Sequence, residues 1–143
     1  AQQSGSDTQQ EISGKISIIT VWVGDQGTAG AEEITMVFEL APGSEPIADT
    51  AVHWAVICDD GAGTPSVVDG DLSAATELDG ATAVAQFDPG ETYMIDLVVG
   101  GGAGATCAPS LNEEHSMVIS ANGGGSTYET LYYQSTTQGD QVV

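Results

Sequence analysis

Ile34, Met36, Phe38 and Leu40 are large and apolar, and Thr35, Val37 and Glu39 fall between them, so the run alternates with a period of two. That period marks a strand with one buried face. It returns at Val52, Trp54, Val56 and Cys58, and again at Tyr93, Ile95, Leu97 and Val99. Four more runs, 15–23 (KISIITVWV), 81–87, 115–120 and 126–133, also predict strands. Between these segments lie VGDQGTAG, APGSEP, DDGAGTP, DPGE, GGGAGAT and ANGGGS, whose glycines, prolines and small polar residues supply the backbone angles of turns. No helical period follows Gly14. The expected fold is therefore all-β: an antiparallel sandwich, or a barrel-like variant, of about seven or more short strands.

Residues 1–13 (AQQSGSDTQQEIS) are polar and rich in Gln and Ser, and suit the end of a helix or a linker closed by Gly14. The predicted division is thus a tail over 1–13 and a β domain over 14–143. Within that domain, Pro42 and Pro46 cannot donate ladder hydrogen bonds. The strand ending at Leu40 must leave its sheet at APGSEP before the chain resumes near Ala51, so the prolines terminate one strand and stiffen a crossing.

Charge narrows the picture more than composition does. The 143 residues hold 21 acids, one lysine (Lys15) and no arginine, for a formal net charge of -20. Such a chain repels itself in dilute buffer. At molar salt the Debye length shrinks to ~3 Å and the repulsion largely vanishes, which points to a protein adapted to brine. The regular alternation argues against an acidic disordered chain. Nucleic acid and anionic membrane surfaces are excluded as partners, since both need clustered Lys and Arg. No run of about 18 apolar residues is present to span a bilayer, and residues 1–10 lack the apolar stretch of a signal peptide. Cys58 and Cys107 are either a disulfide or two buried thiols. Pairing would imply an oxidising, extracytoplasmic setting and stabilise the fold by about 4 kcal/mol in the chain-entropy treatment.

Candidate chemistry is sparse. GGGAGA at 100–105 satisfies G-x-G-x-x-A, but no helix or βαβ unit follows and it reads as a turn. The segment 58–71 (CDDGAGTPSVVDGD) gathers Asp59, Asp60, Asp69 and Asp71, oxygen donors of the kind that hold Ca²⁺ or Mg²⁺, though without EF-hand spacing. They are the candidate metal ligands of a cation-binding loop, set against the chance clustering expected among 21 acids. His53 and His115 have no neighbouring Cys or His to suggest zinc, and both are expected at the surface. No G-x-S-x-G elbow or S-x-x-K is present and nothing marks out a carboxylate pair, so neither catalysis nor an organic cofactor is expected. Trp22 and Trp54 are expected in the core. Tyr128, Tyr132 and Tyr133 crowd the last strand with more aromatic surface than one buried face needs, leaving some of it for a partner.

The runs TQQEISGKISIITVWVG and EEITMVFELAPGSEPIADTAVHWAVI, with FDPGETYMIDLVV and YETLYYQSTTQGDQVV further on, resemble the archaellins, the filament subunits of the archaeal swimming organelle, in particular the haloarchaeal ones. The resemblance covers most of the chain, is densest over 8–57 and is sparse over 60–82. It implies an immunoglobulin-like head domain, extracellular, on the outside of a filament. It also implies a hydrophobic helix preceding Ala1, which forms the filament core after a prepilin-type peptidase trims the precursor. Partners would then be other archaellins, through that helix and through contacts between heads, with no membrane contact by this segment. A haloarchaeal type IV adhesion pilin or an archaellum stator-like subunit shares these features, and a secreted divalent-cation-binding β module is the reading from a different class. The glycosylation common in the family does not carry over, because Asn112 precedes Glu113 and Asn122 precedes Gly123, with no Asn-x-Ser/Thr sequon.

Overall fold

Strands that alternate apolar and polar residues bury one face each, and here two sheets close over the shared interior. In the computed structural model, which describes residues 15–24, 32–59, 65–100, 107–121 and 125–143, seven strands have seven or eight residues. They are β1 (Ile16–Val23), β2 (Glu33–Leu40), β4 (Val52–Asp59), β5 (Pro65–Asp71), β8 (Thr92–Val98), β9 (Glu114–Ala121) and β10 (Ser126–Tyr132). The two-residue strands β3 (Ile47–Ala48), β6 (Thr76–Glu77) and β7 (Gln86–Phe87) complete the set, and among the described residues the only helical element is a 3-10 turn, Asp49–Ala51. The predicted tail over 1–13 lies outside the described residues.

One sheet has the order β1-β2-β8-β6 and the other β10-β9-β4-β5, with β3 and β7 forming a separate ribbon. Every pairing between named strands is antiparallel. In immunoglobulin lettering these sheets read A-B-E-D and G-F-C-C′, so the sandwich is immunoglobulin-like in topology as well as in layers. Inward residues of both sheets make one core. Phe38, Leu40 and Leu97 face Val56, Met117 and Ile119, all essentially buried. Trp54 stands on the C-equivalent strand, where immunoglobulin domains keep a buried tryptophan. Gly70 lies opposite it in register, and a Cβ there would come within 3.0 Å of the indole nitrogen.

The crossing after β2 follows from its prolines and glycine. Ser44 N–H donates to Ala41 O at 3.2 Å, and Gly43, at φ 85°, sits after Pro42 where a type II turn requires positive φ. The chain then passes through β3 to β4 in the opposite sheet. At the other seam, residues 139–142 insert between the edge strands β1 and β10. Gly139 N–H donates to Val23 O at 2.8 Å, Val142 N–H to Val21 O at 2.9 Å, and Tyr132 N–H to Val142 O at 3.0 Å. Two edges that would otherwise offer unpaired ladders are thereby joined.

Three expectations need correction. The second half of segment 58–71 is strand β5 and not loop, and the run 81–87 forms a strand only at Gln86–Phe87. The reason for the latter is local. Asp79 Oδ1 accepts the backbone N–H of Ala81 and of Thr82, both at 2.9 Å, and the Thr82 hydroxyl donates to the same carboxylate, so a tight side-chain-capped turn holds the residues that would otherwise extend. Trp22, expected in the core, faces outward. A register shift between Ile18 and Thr20 reverses the parity of β1, so that Val21 and Val23 point inward in place of Trp22.

The Asp79 turn has a pH signature. Its carboxyl is held below the ordinary 3.8, first by the Thr82 hydroxyl and then by the two amides. A depressed folded pKa favours the folded state above the unfolded pKa, and that contribution is lost as pH falls through the folded value. Carbon-detected NMR titration is expected to place the Asp79 midpoint below that of an unstructured aspartate, with Thr82→Val returning it toward the ordinary value.

Candidate functional site

The outward face of the β10-β9-β4-β5 sheet is built by register. Thr130 lies beside Ser116, Ser116 beside Ile57, and Ile57 beside Val67, a row crossing all four strands. The next row runs Tyr128, Val118, Ala55, Asp69. Apart from Asp69 at its edge, neither row contains a charge. Tyr128 is 75% exposed, Val67 50% and Ile57 40%, a degree of apolar exposure that solvation alone does not call for. Carboxylates border the belt, Glu114 opposite Tyr132 in the adjoining row and Asp69 and Asp71 on the edge strand β5, where acids also guard an unpaired ladder. The outward face of the other sheet carries Glu33, Glu39 and Asp96 on either side of an uncharged row of Thr20, Val37, Met94 and Thr76, and Asp96 Oδ1 accepts the Thr35 hydroxyl at 2.6 Å.

The candidate cation ligands are spread along a ladder. The backbone of Asp59 is paired with Pro65, while Asp69 is paired with Ala55 and Asp71 with His53. Four positions along β5 separate Pro65 from Asp69, roughly 13 Å. Asp60 lies outside the described residues. The Asp71 carboxylate is occupied locally: Oδ1 accepts the Ser73 hydroxyl at 2.6 Å and the Ser73 amide at 3.0 Å, and these hold its pKa below the ordinary 3.8. Among the described residues no three of His, Cys, Asp and Glu converge as a metal would need. His53, Asp69 and Asp71 instead rim a shallow open cavity of about 400 Å³ with Val118 and Ser120.

Cys58 and Cys107 are joined as a disulfide, with Cα atoms 5.7 Å apart, tying the end of β4 to the connection between β8 and β9. Of the GGGAGA turn only Gly100 is described; its amide donates to Glu32 O at 3.0 Å. His53 is exposed as expected. His115 is not: it is 2% exposed, because it shares the inward parity of Met117 and Ile119 on β9. Its ring packs edge-on against Tyr133 at 5.1 Å, and Nε2 lies 3.2 Å from Glu113 Oε2. The tyrosines divide by parity, Tyr128 and Tyr132 outward and Tyr133 fully buried. The buried Tyr133 hydroxyl has no hydrogen-bond partner among the described residues, and burial pushes its pKa well above the usual phenol range. Removing that oxygen removes a desolvation cost, so Tyr133→Phe is expected to raise stability by up to about 1 kcal/mol, measured by chemical unfolding. Val67 was the functional-face residue hidden from sequence reasoning, because β5 itself was.

The structure aligns with a chain of the archaeal flagellum of Methanospirillum hungatei at a TM-score of 0.62 and 15% identity, over 99% of this chain and 80% of that one. It aligns with the archaeal flagellin FlaB1 from Methanocaldococcus jannaschii at a TM-score of 0.58 and 13% identity, over 88% of this chain and 93% of that one. The fold is that of archaeal flagellins. The sequence matches no protein-family model and no curated protein. Likeness at this level of identity resides in the sandwich.

Proposed function

We propose that this chain is the globular outer domain of an archaellum filament subunit of haloarchaeal type, extracellular and without chemistry of its own. The observation that carries the reading is the match of the sandwich to two archaeal flagellin structures across nearly the whole chain. The archaellin-like runs on β1, β2 and the LAPGSEPI crossing support it from the sequence side. Function in such a subunit is mechanical: a rigid body presents faces that helical symmetry repeats. The disulfide and the joined β1 and β10 edges supply the rigidity.

Immunogold labelling of cells with antibody to this chain tests the reading. Label along the swimming filaments, with loss of swimming when the gene is deleted, is the expected result. Label on adhesive pili with swimming intact would assign the chain to a pilus, and label confined to the cell envelope to a stator-like subunit. Either outcome overturns the proposal.

Adaptation to brine is the second part of it. With a net charge of -20, the thermal midpoint of the isolated chain is expected to rise by several degrees between dilute buffer and molar KCl. Scanning calorimetry over a KCl series checks this. A flat or falling midpoint would remove the halophilic assignment.

A further inference from the structure

We propose that the seam between β1 and β10 is a strand-acceptor groove, and that residues 139–143, the strap that fills it, exchange with the same segment of a second copy of this chain. The two edge strands start side by side, where the Thr127 hydroxyl donates to Ile16 O, and part toward Val21 and Tyr132. The opening there is one strand wide. Val142 is bonded on both sides, its N–H donating to Val21 O at 2.9 Å and its carbonyl accepting Tyr132 N–H at 3.0 Å. Gly139 N–H donates to Val23 O at 2.8 Å, and Asp140 O accepts Val23 N–H at 3.0 Å. All four bonds are main-chain bonds, and Gln141 Nε2 adds a side-chain bond to Thr20 Oγ1 at 3.1 Å. Among the described residues of 134–143, Val142 alone has a buried side chain. Nothing in the seam depends on which copy supplies the strap.

The occupant is fixed by the seat already filled, since a second copy offers the identical strap and makes identical bonds. Only the hinge changes. Residues 134–138 (QSTTQ) belong to no strand and are exposed or half-buried, and the chain turns back into the seam where Asp140 N–H donates to Thr137 O at 3.1 Å with Gly139 at φ 92°. Extended instead, 134–138 spans roughly 17 Å, enough to carry the strap out to a neighbour. A strap held by one valine and a few main-chain bonds opens far more readily than the sandwich unfolds. Concentration then decides. A short tether presents its own strap at an effective concentration in the millimolar range, so dilute copies stay closed and exchange needs neighbours held equally close. Exchange of an identical element costs the fold no contact and joins copies without a new surface. Copies of net charge -20 meet that closely only where salt screens them.

Cysteine trapping at millimolar concentration in molar KCl tests the proposal. Chain carrying Thr20→Cys is mixed with isotope-labelled chain carrying Gln141→Cys, the mixture is mildly oxidised, and the mixed disulfide-linked dimer is identified by its mass. A several-fold excess is expected over the pair Leu78→Cys and Gln141→Cys, because Leu78 is exposed and follows β6 at the far edge of the sheet, where only collision brings it to residue 141. Adding Val142→Asp to the Gln141→Cys chain removes the anchor but leaves residue 141 as open to collision as before, so the excess should vanish. Val142→Ala, a milder loss, should give an intermediate yield. Equal yields from the two pairs, or an excess that survives Val142→Asp, overturns the proposal. The filament reading fails separately: antibody that labels no filament sinks that reading but leaves exchange in the isolated chain standing, and labelled filaments built from a chain that never traps do the reverse.

Discussion

The double variant Cys58→Ala/Cys107→Ala is expected to lose about 4 kcal/mol of stability and to melt roughly 10–15 °C lower than the parent chain. The two half-cystines are 49 residues apart in sequence, and closing a loop of that length removes a large share of the unfolded chain's freedom. The folded state also has a specific use for the bond. Cys107 is buried, and its amide donates to Val99 O at 2.8 Å, so the disulfide holds the β8-to-β9 connection against the ends of both sheets. Calorimetry of parent and variant in molar KCl, with the parent repeated in reductant, separates the bond from the substituted side chains. Equal midpoints in all three samples would show that the crosslink contributes nothing, and the rigid-head argument would lose its strongest support.

How far the fold could be read in the sequence depended on whether a strand buries one whole face. β4, β8 and β9 do, and their alternation survives in the burial of Val56, Ile95 and Met117, whereas β2 buries Ile34 through Phe38 without a break, its outward Thr35 and Val37 included. β5 does not. It is an edge strand of sequence PSVVDGD in which Val67 is half exposed and Gly70 makes room for Trp54, so the apolar period is broken by the very features that suit it to the edge. Trp22 illustrates a second limit. Its outward position comes from a bulge that no composition signal announces, and parity counted from Ile16 is then wrong by one. His115 was legible, by contrast. Counting back by twos from Ile119 and Met117 places it inward, and only its polarity argued for the surface.

The candidate site was legible in part for the same reason. Tyr128 and Tyr132 could be placed outward by alternation on β10, but a face needs neighbours, and those depend on which strands pair. Pairing of β4 with both β5 and β9 sets Ile57 beside Val67 and Ser116, residues distant in sequence. The aspartates pointed the other way. Their closeness in sequence suggested convergence, and the ladder sets Asp69 and Asp71 along the edge strand β5, opposite Ala55 and His53.

Phe38→Ala is expected to cost about 3–5 kcal/mol, comparable to the disulfide and a large part of an ordinary domain's total stability. Phe38 is fully buried and central to an aromatic cluster, with ring centroids 5.2 Å from Phe87 and 5.8 Å from Tyr93. The contact with Phe87 is edge-on at 89°, a geometry that adds to simple burial. Phe87 belongs to β7, whose pairing with β3 fastens the crossing between the sheets, and Asp49 N–H at the end of that ribbon donates to Ala85 O at 3.1 Å. Truncating Phe38 therefore leaves a cavity and also loosens the support of the ribbon. Two measurements separate these effects. Urea unfolding reads the total, and Phe38→Leu, which refills most of the volume, should recover more than half of the loss. Amide hydrogen exchange reads the distribution: protection at Asp49 should fall further than protection within the β4-β9 ladder, because the ribbon depends on the aromatic contact while the ladder has its own. Uniform loss across both would mean that the crossing is held by the sheets on either side of it, and that the aromatic cluster serves the core as volume alone.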